Sequence, residues 1–512
     1  MQTNSYQRHF AIVRLGVTFT AANGQAFFRL PVHSSGGFSI FPVRSPEFRH
    51  WFFREFYARH DSLPTPREFT AILHLLEAEA NHNDPDNCGL SVWRRVGCRG
   101  PSSDPTAILL DLANPERQFV DIYPTGWKTT AGPGVLLQTS RSAFSIPEPV
   151  PAPADAPAPL DTLRSCLNLP TRTAWLRCLA WVLAAFRPAG PYPILILQGP
   201  PASGKSLAAR VLRSLVDPSI APLSPIPSSV RDLLTLARHN WALAFDHIST
   251  LSPQLADALC RLSSGLGATF RETAAPEPLF QSYKRPVLLT VTERWSCPAG
   301  LAERALVVTL PPLPPESRIP EAAFLETLHQ AWPAILGSLC TAVSTALSRM
   351  PTTSPQTGPV TGCHADALAW AVAASPALSI GGGNVCTEEE MRRALDPPPP
   401  VHPIVDAVRN LFEQRRSFTG TAAELSDLLR PLLDCRTGPQ SPQSVSHHLK
   451  KCMLTLADSG IELKFRRLPG GNRIIDLSTD PCDDDFPQND ESSSQNSTTP
   501  PQPTETEEVP AA

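Results

Sequence analysis

What this chain lacks narrows its function before any motif is read. Its twelve cysteines form no Cys-x-x-Cys pair and no Cys/His run at zinc spacing. That pattern argues for reduced core thiols and against a zinc site or a disulfide framework. Glycine is scarce, 27 residues against 57 prolines, so the connections between elements are expected to be stiff. The start, MQTNSYQRHFAIVRLG, carries no apolar region of a secretory signal, and no run of eighteen residues escapes polar or charged interruption. A soluble, cytoplasmic protein with no membrane contact is expected. Lys and Arg are absent after Arg473, whereas nine carboxylates lie between Asp480 and Glu508. The net charge of −4 therefore misleads, because the remainder holds 44 basic against 39 acidic side chains, a net +5. Residues 479–512 hold few apolar side chains and are expected to form a disordered acidic tail.

What is present centres on Ile194 to Arg213, ILILQGPPASGKSLAARVLR. Four apolar residues suit a buried parallel strand, and Gly199 to Ser206 then fit the phosphate-loop pattern G-x-x-x-x-G-K-[ST] before a helix with apolar periodicity. In such a loop Gly199 and Gly204 let the backbone turn amide groups inward, with the positive end of the helix behind them. Gly199, Pro200, Pro201, Ala202, Ser203, Gly204, Lys205, Ser206 and Leu207 are the expected nucleotide-binding residues. Lys205 is expected to reach the β and γ phosphates of ATP, and Ser206 to offer its hydroxyl to Mg²⁺. Forty residues on, Trp241 to Asp246 (WALAFD) reads as a second buried strand ending in a carboxylate. Asp246 is the expected second holder of Mg²⁺ and a candidate catalytic residue.

Around this loop the chain is expected to be multidomain. Residues 1–145 read as an α+β N-terminal domain, with a hairpin about Asn23-Gly24 and helices begun at Ser45-Pro46 and Thr65-Pro66. Short strands are expected over 91–96, 107–112, 119–123 and 135–138. The aromatics Phe48, Trp51, Phe52 and Phe56 fall at helical spacing, which favours core over base-stacking platforms. Arg94 and Arg95 are expected to be exposed, either as phosphate contacts or as a solvated edge. A Pro/Ala linker, residues 146–160, separates this domain from an α/β P-loop core over 161–350, and residues 351–403 read as linkers around a small helical insert.

The run RDLLTLARHNWALAFDHISTLSPQLADALCRLSSGLGATFRETAAPEPLFQSYKRPVLLT, Arg231 to Thr290, resembles the ATPase module of bacterial and phage-related primase-helicase proteins. These are close to superfamily 3 helicases within the AAA+ group. SPEFRHWFFREFYARH, GPYPILILQG, VDPSIAPL and AWPAILGSL extend the resemblance over about residues 10–350. It implies an AAA+-like core with a helical lid after Pro312. It also implies a basic residue, Arg271, in a hairpin facing single-stranded DNA, and a sensor at Thr290 where the family carries Asn. Arg304 becomes the arginine finger reaching a neighbouring subunit in a homo-oligomeric ring. His247 stands where relatives carry Asn or a glutamate base, and it becomes a candidate for polarising water. Together, His247 and Thr290 imply slow hydrolysis or an altered arrangement.

Residues 404–478 read as three helices and a hairpin, the layout of a winged helix, with a capping box at Thr421 and Glu424. Lys450 and Lys451 on the third helix, with Lys464, Arg466 and Arg467 on the wing, are the expected DNA contacts, single-stranded or duplex. Winged helices also serve as protein contacts. Two functions remain open: a DNA-dependent ATPase or helicase-like motor of mobile-element or phage-related type, and an ATP-binding regulator or loader that does not unwind DNA.

Overall fold

The computed structural model describes residues 11–31, 37–82, 88–132, 135–152, 158–270, 279–293, 295, 297–350, 365–379, 385–395, 403–412, 415, 417–432, 441–453, 456, 461–467 and 473–479. Internal packing divides the chain into two units, Met1–Pro397 and Pro398–Ala512. The first begins with β1 (Val17–Ala21) and β2 (Ala26–Pro31), joined at Asn23-Gly24, where Gly24 takes φ +80° and Asn23 Oδ1 accepts the Gln25 amide. β3 (Phe38–Pro42) extends this sheet. α1 (Pro46–His60), capped by Ser45, then buries Phe48, Trp51, Phe52 and Phe56, with Phe28 in ring contact with two of them. α2 (Pro66–His82) starts on a reciprocal Thr65/Glu68 capping box and adds Ile72 and Leu76 to the same core. The aromatic stripe is core.

After β4 (Cys88–Leu90) and β5 (Val92–Trp93) comes an antiparallel meander of β6 (Val96–Arg99), β7 (Ala107–Asp111), β8 (Gln118–Tyr123) and β9 (Gly126–Ala131), and then β10 (Leu136–Leu137), which pairs with β5. The sequence reading missed β9, whose GWKTTA lacks apolar alternation. The Pro124-Thr125 turn folds it back onto β8. Ile108, Leu110, Val120 and Ile122 face a core that continues without a break into the rest of the unit.

Residues 146–152 are extended but not free. Ile146 is buried and its amide donates to Leu112 O at 2.8 Å, and the Val150 amide donates to Pro333 O at 3.0 Å. α3 (Pro159–Ser165) and α4 (Arg172–Ala185) follow; α4 is apolar nearly all round because it is buried on nearly every side. β11 (Ile194–Gly199) leads to α5 (Lys205–Ser214) and α6 (Val230–His239), then to β12 (Leu243–Ile248), α7 (Pro253–Ser264), the hairpin β13 (Leu266–Phe270) with β14 (Leu279–Tyr283), β15 (Val287–Thr292), α8 (Ala299–Ala302) and β16 (Ala305–Thr309). The parallel sheet runs in the order β12-β15-β11-β16. Ile194 and Ile196 face the cluster under α6 and α7, and Leu195 and Leu197 face the cluster under α4. Burial on both faces explains the unbroken ILIL run.

α9 (Glu321–Arg349) is long and apolar enough to cross a membrane by length and composition, although 61% of its most apolar window is buried inside the fold. Leu328, Ile335, Leu339 and Val343 are fully enclosed in the main core. Gly337 makes room for the crossing segment, since a Cβ there would lie 1.9 Å from Val150 O. α10 (Ala365–Ala374) and α11 (Glu388–Leu395) belong to this same core, and Trp370 Nε1 donates to Leu183 O in α4 at 3.1 Å. The stretch expected as a small insert is therefore structural, because its ALAWAVAA run is buried among helices.

The second unit holds α12 (Pro403–Phe412), β17 (Ser417–Gly420), α13 (Ala422–Leu429), α14 (Pro442–Lys451), β18 (Ile461–Arg467) and β19 (Arg473–Thr479). Its antiparallel sheet has the order β17-β19-β18 around Val408, Leu425, Val445, Leu449, Leu463 and Ile475. Both halves of the Thr421/Glu424 capping box form. The tail from residue 480 onward lies outside the described residues.

Arg95 departs from its expected exposure. It is 3% exposed, takes φ +58°, and its Nε donates to Asp217 Oδ1 at 2.9 Å. Its other guanidinium nitrogens donate to the carbonyls of Asp111, Phe144 and Pro218. Asp217 Oδ2 in turn accepts the amides of Trp241 and Ala242 at 2.9 and 3.0 Å. This network clamps the meander to the end of α5 and the start of β12. Arg95→Ala leaves a buried carboxylate unpaired and is expected to cost about 3–5 kcal/mol in urea unfolding. Arg141→Ala, which breaks the outer pair with Glu47, is expected to cost less than about 1 kcal/mol in the same measurement.

Candidate functional site

The site forms at the carboxyl ends of β11, β12 and β15, where three parallel strands deliver side chains to one edge. Gly199 closes β11 at φ +157°, and a Cβ there would lie 2.4 Å from Leu310 O, so only glycine lets the loop leave between β11 and β16. Gly204 takes φ +81° as the N-cap of α5. Between them Pro200 and Pro201 supply no amide hydrogen, which leaves the amides of Ala202, Ser203, Gly204, Lys205 and Ser206 as the donors this stretch can offer. Ser203 is fully buried, Pro201 and Ala202 are exposed, and Leu207 turns toward the main core.

Lys205 Nζ donates to Gly199 O at 2.8 Å, Pro200 O at 2.6 Å and Ser203 Oγ at 3.2 Å. Burial pushes its ammonium below the usual lysine range, with Asp246 and then Glu293 partly offsetting that. Ser206 Oγ donates to Asp246 Oδ1 at 2.9 Å, so the α5 hydroxyl and the β12 carboxylate meet although they are forty residues apart. Thr290 is buried within β15, and its hydroxyl donates to the same Asp246 oxygen while accepting the His247 amide at 3.0 Å. This geometry sets the carboxylate's rotamer from two sides. His247 takes φ +57°; its ring is 83% exposed, with Nε2 3.8 Å from Asp246 Oδ2.

Three neighbours escaped the sequence reading. Asn168 Nδ2 donates to Ser203 O at 3.0 Å and Pro311 O at 2.7 Å, tying the loop to the segment after β16. Gln198 Nε2 donates to Glu293 O at 2.6 Å. Glu293 follows β15 directly, and its carboxylate is within electrostatic range of Lys205. No local pattern marks Asn168 or Gln198; the strand order brings Gln198 here, and the connection between α3 and α4 brings Asn168.

Arg304 lies at the opposite edge of the sheet. Its carbonyl accepts the Ile194 amide at the start of β11, and its Nη1 donates to Gly300 O at 2.9 Å. Five strand residues separate that edge from Gly199, about 16 Å of rise, so its own loop is out of reach. Arg271 and the side chains of Lys451 and Arg467 lie outside the described residues. Lys450 is exposed on α14, its Nζ 5.1 Å from the Phe465 ring centre. Lys464 pairs with Glu462 at 2.7 Å, and Arg466 pairs with Asp476 across β18 and β19.

Two family models match the chain. Residues 160–356 match the actinomycete integrative conjugative element replication protein RepA, and residues 404–494 match the RepA C-terminal domain. No curated protein matches. Among solved structures, the chain is similar to the SCCmec type IV active helicase Cch at 11% identity, over 91% of this chain and 93% of that one, with a TM-score of 0.35. It is also similar to the NrS-1 C-terminal region at 8% identity, over 92% and 98% of the two chains, with a TM-score of 0.39.

Asn168→Ala frees one loop carbonyl, that of Ser203, and the carbonyl of Pro311 after β16. It is expected to cost about 1–2 kcal/mol and to speed amide hydrogen exchange across residues 202–206, with exchange in β11 unchanged.

Proposed function

We propose, for a chain built on the two modules of an integrative conjugative element replication protein, that it is a Mg-ATP-dependent motor acting on DNA during replication of that element. The observation that carries this reading is the convergence of Lys205, Ser206 and Asp246 at one sheet edge, behind a glycine-framed loop.

The residues suit the ligand. The loop amides and the α5 N-terminus would bind the phosphates, and Lys205 would exchange its three loop acceptors for phosphate oxygens. Ser206 Oγ and Asp246 Oδ1 are hard oxygen donors suited to Mg²⁺, which when bound neutralises charge on the phosphate oxygens. Thr290 would keep Asp246 oriented through its hydroxyl. His247, near this edge, would take the one proton that an attacking water releases on bonding to the γ-phosphorus, as the bond to the departing ADP oxygen breaks. Arg304, remote from its own loop, would act only on that of a neighbouring copy, so the reading requires a homo-oligomer. The C-terminal unit, with three helices beside a three-stranded sheet, is read as a winged helix, and Lys450, Lys464 and Arg466 on its surface would meet DNA phosphates.

A second reading, an ATP-binding regulator or loader without unwinding, draws on His247, which occupies the position after Asp246 with its ring in solvent.

Steady-state ATP hydrolysis with and without single-stranded DNA separates the two. Turnover that rises with DNA and falls roughly 10²–10³-fold in Lys205→Ala is the expected result. Tight nucleotide binding without turnover would replace the motor by the regulator.

A further inference from the structure

Two threonines stand on one face of β15, and only one of them is engaged. Side chains two positions apart in a strand share a face. Leu288 of β15 packs in the cluster that also holds Ala208 and Ala209 of α5. Thr290 and Thr292, two and four positions on, therefore face the side of the sheet where α5 and the glycine-framed loop lie. Thr290 is 1% exposed; its hydroxyl donates to Asp246 Oδ1 and accepts the His247 amide. Its one proton is committed to the carboxylate, and burial keeps it from a ligand. Thr292 closes the strand in an exposed position, and among the described residues its hydroxyl makes no hydrogen bond.

The strand register brings that free hydroxyl to the loop. Thr292 is paired with Gly199 on the neighbouring parallel strand, a backbone separation of about 4.8 Å. Gly199 O is in turn an acceptor of Lys205 Nζ, at 2.8 Å. Thr290 is paired with Leu197, two residues or about 6.6 Å further from the carboxyl edge. The end of the strand is also held in place. The buried Trp295 donates its amide to Thr292 O at 3.1 Å, and Gln198 Nε2 donates to Glu293 O at 2.6 Å. A β-branched side chain on a fixed backbone has little rotamer freedom to lose when its hydroxyl meets a ligand. Loop amides of this kind close around the inner phosphates. A donor on the next strand, outside the loop and beside the acceptor that Lys205 would release, is placed for the outermost one.

We propose that Thr292, and not Thr290, presents its hydroxyl to the terminal phosphate of a bound nucleoside triphosphate and so distinguishes triphosphate from diphosphate. The proposal rests on the nucleotide-binding reading above. It makes Thr290 a positioning residue that acts through Asp246, and it moves the sensor role expected of Thr290 two positions along the same strand face.

The test uses the full chain with Mg²⁺ and compares the affinities of methylanthraniloyl-labelled ADP and the labelled β,γ-imido analogue of ATP. The analogue is not hydrolysed, so the readout is binding rather than turnover. Wild type is expected to favour the triphosphate analogue. Thr292→Val keeps the branched shape without the hydroxyl, and is expected to weaken the analogue about tenfold while ADP affinity stays within about twofold. Thr292→Ser is expected to restore most of the preference. Thr292 is exposed, so neither variant empties a core, and both are expected to melt with wild type. A wild-type affinity ratio in Thr292→Val overturns the proposal. So does a ratio lost equally in Thr292→Ser, since the shape of the side chain would then be responsible. Equal binding of both nucleotides by wild type overturns it as well. A wild type that binds neither nucleotide overturns the preceding reading itself. If wild type favours the triphosphate and Thr292→Val does the same, that reading stands and this residue alone is wrong.

Discussion

The first unit depends on one buried ion pair. Asp217 lies just beyond the C-terminal end of the helix whose first turn carries Lys205 and Ser206, and it also holds the amides that open the strand carrying Asp246. Arg95 neutralises that carboxylate and spends its remaining donors on three carbonyls. A charge removed from water is tolerated only when it is paired and hydrogen-bonded, and here the two charges meet each other, with two amides on Asp217 and three carbonyls on Arg95. The result fixes, through rigid elements, the spacing between the loop and Asp246. The meander is therefore part of the support of the candidate site rather than a separate attachment.

The site itself is built from short-range rules that converge through topology. Glycines sit where a Cβ would collide or the backbone turns left-handed, a helix starts where donors are wanted, and a carboxylate ends a strand. What topology adds is Thr290, which comes from the strand lying between the other two and fixes Asp246 from within. Its buried hydroxyl also meets the His247 amide, so one threonine couples the carboxylate to the residue that follows it.

How much was legible in the sequence follows the range of the interactions. The strand–glycine turn–helix over 194–214, the strand that ends at Ile248, the caps at Ser45, Thr65 and Thr421, and the aromatic stripe of α1 are local patterns, and they read directly as structure. Arg95 did not, because its partner is 122 positions away and nothing near it in the chain marks burial. Residues 365–374 resembled an isolated insert because prolines flank them, yet their apolar composition is that of a helix enclosed on all sides. β9 escaped for the opposite reason, since a half-exposed strand stabilised by pairing needs little apolar alternation.

The Gly337 crossing bears on how such a protein can be assembled from parts. Residues 146–152 carry the composition of a joint, but they run over α9 so closely that a side chain at 337 would collide with them. Ile146 closes a core shared by strands before it and helices after it. Recombination at that point would exchange half of a core, and each half would arrive with an uncovered apolar wall. The described residues of the units Met1–Pro397 and Pro398–Ala512 form separate buried clusters. Modular exchange in this architecture is therefore confined to the C-terminal unit, so a new surface can be acquired there while the meander and the glycine-framed loop of the candidate site are inherited together.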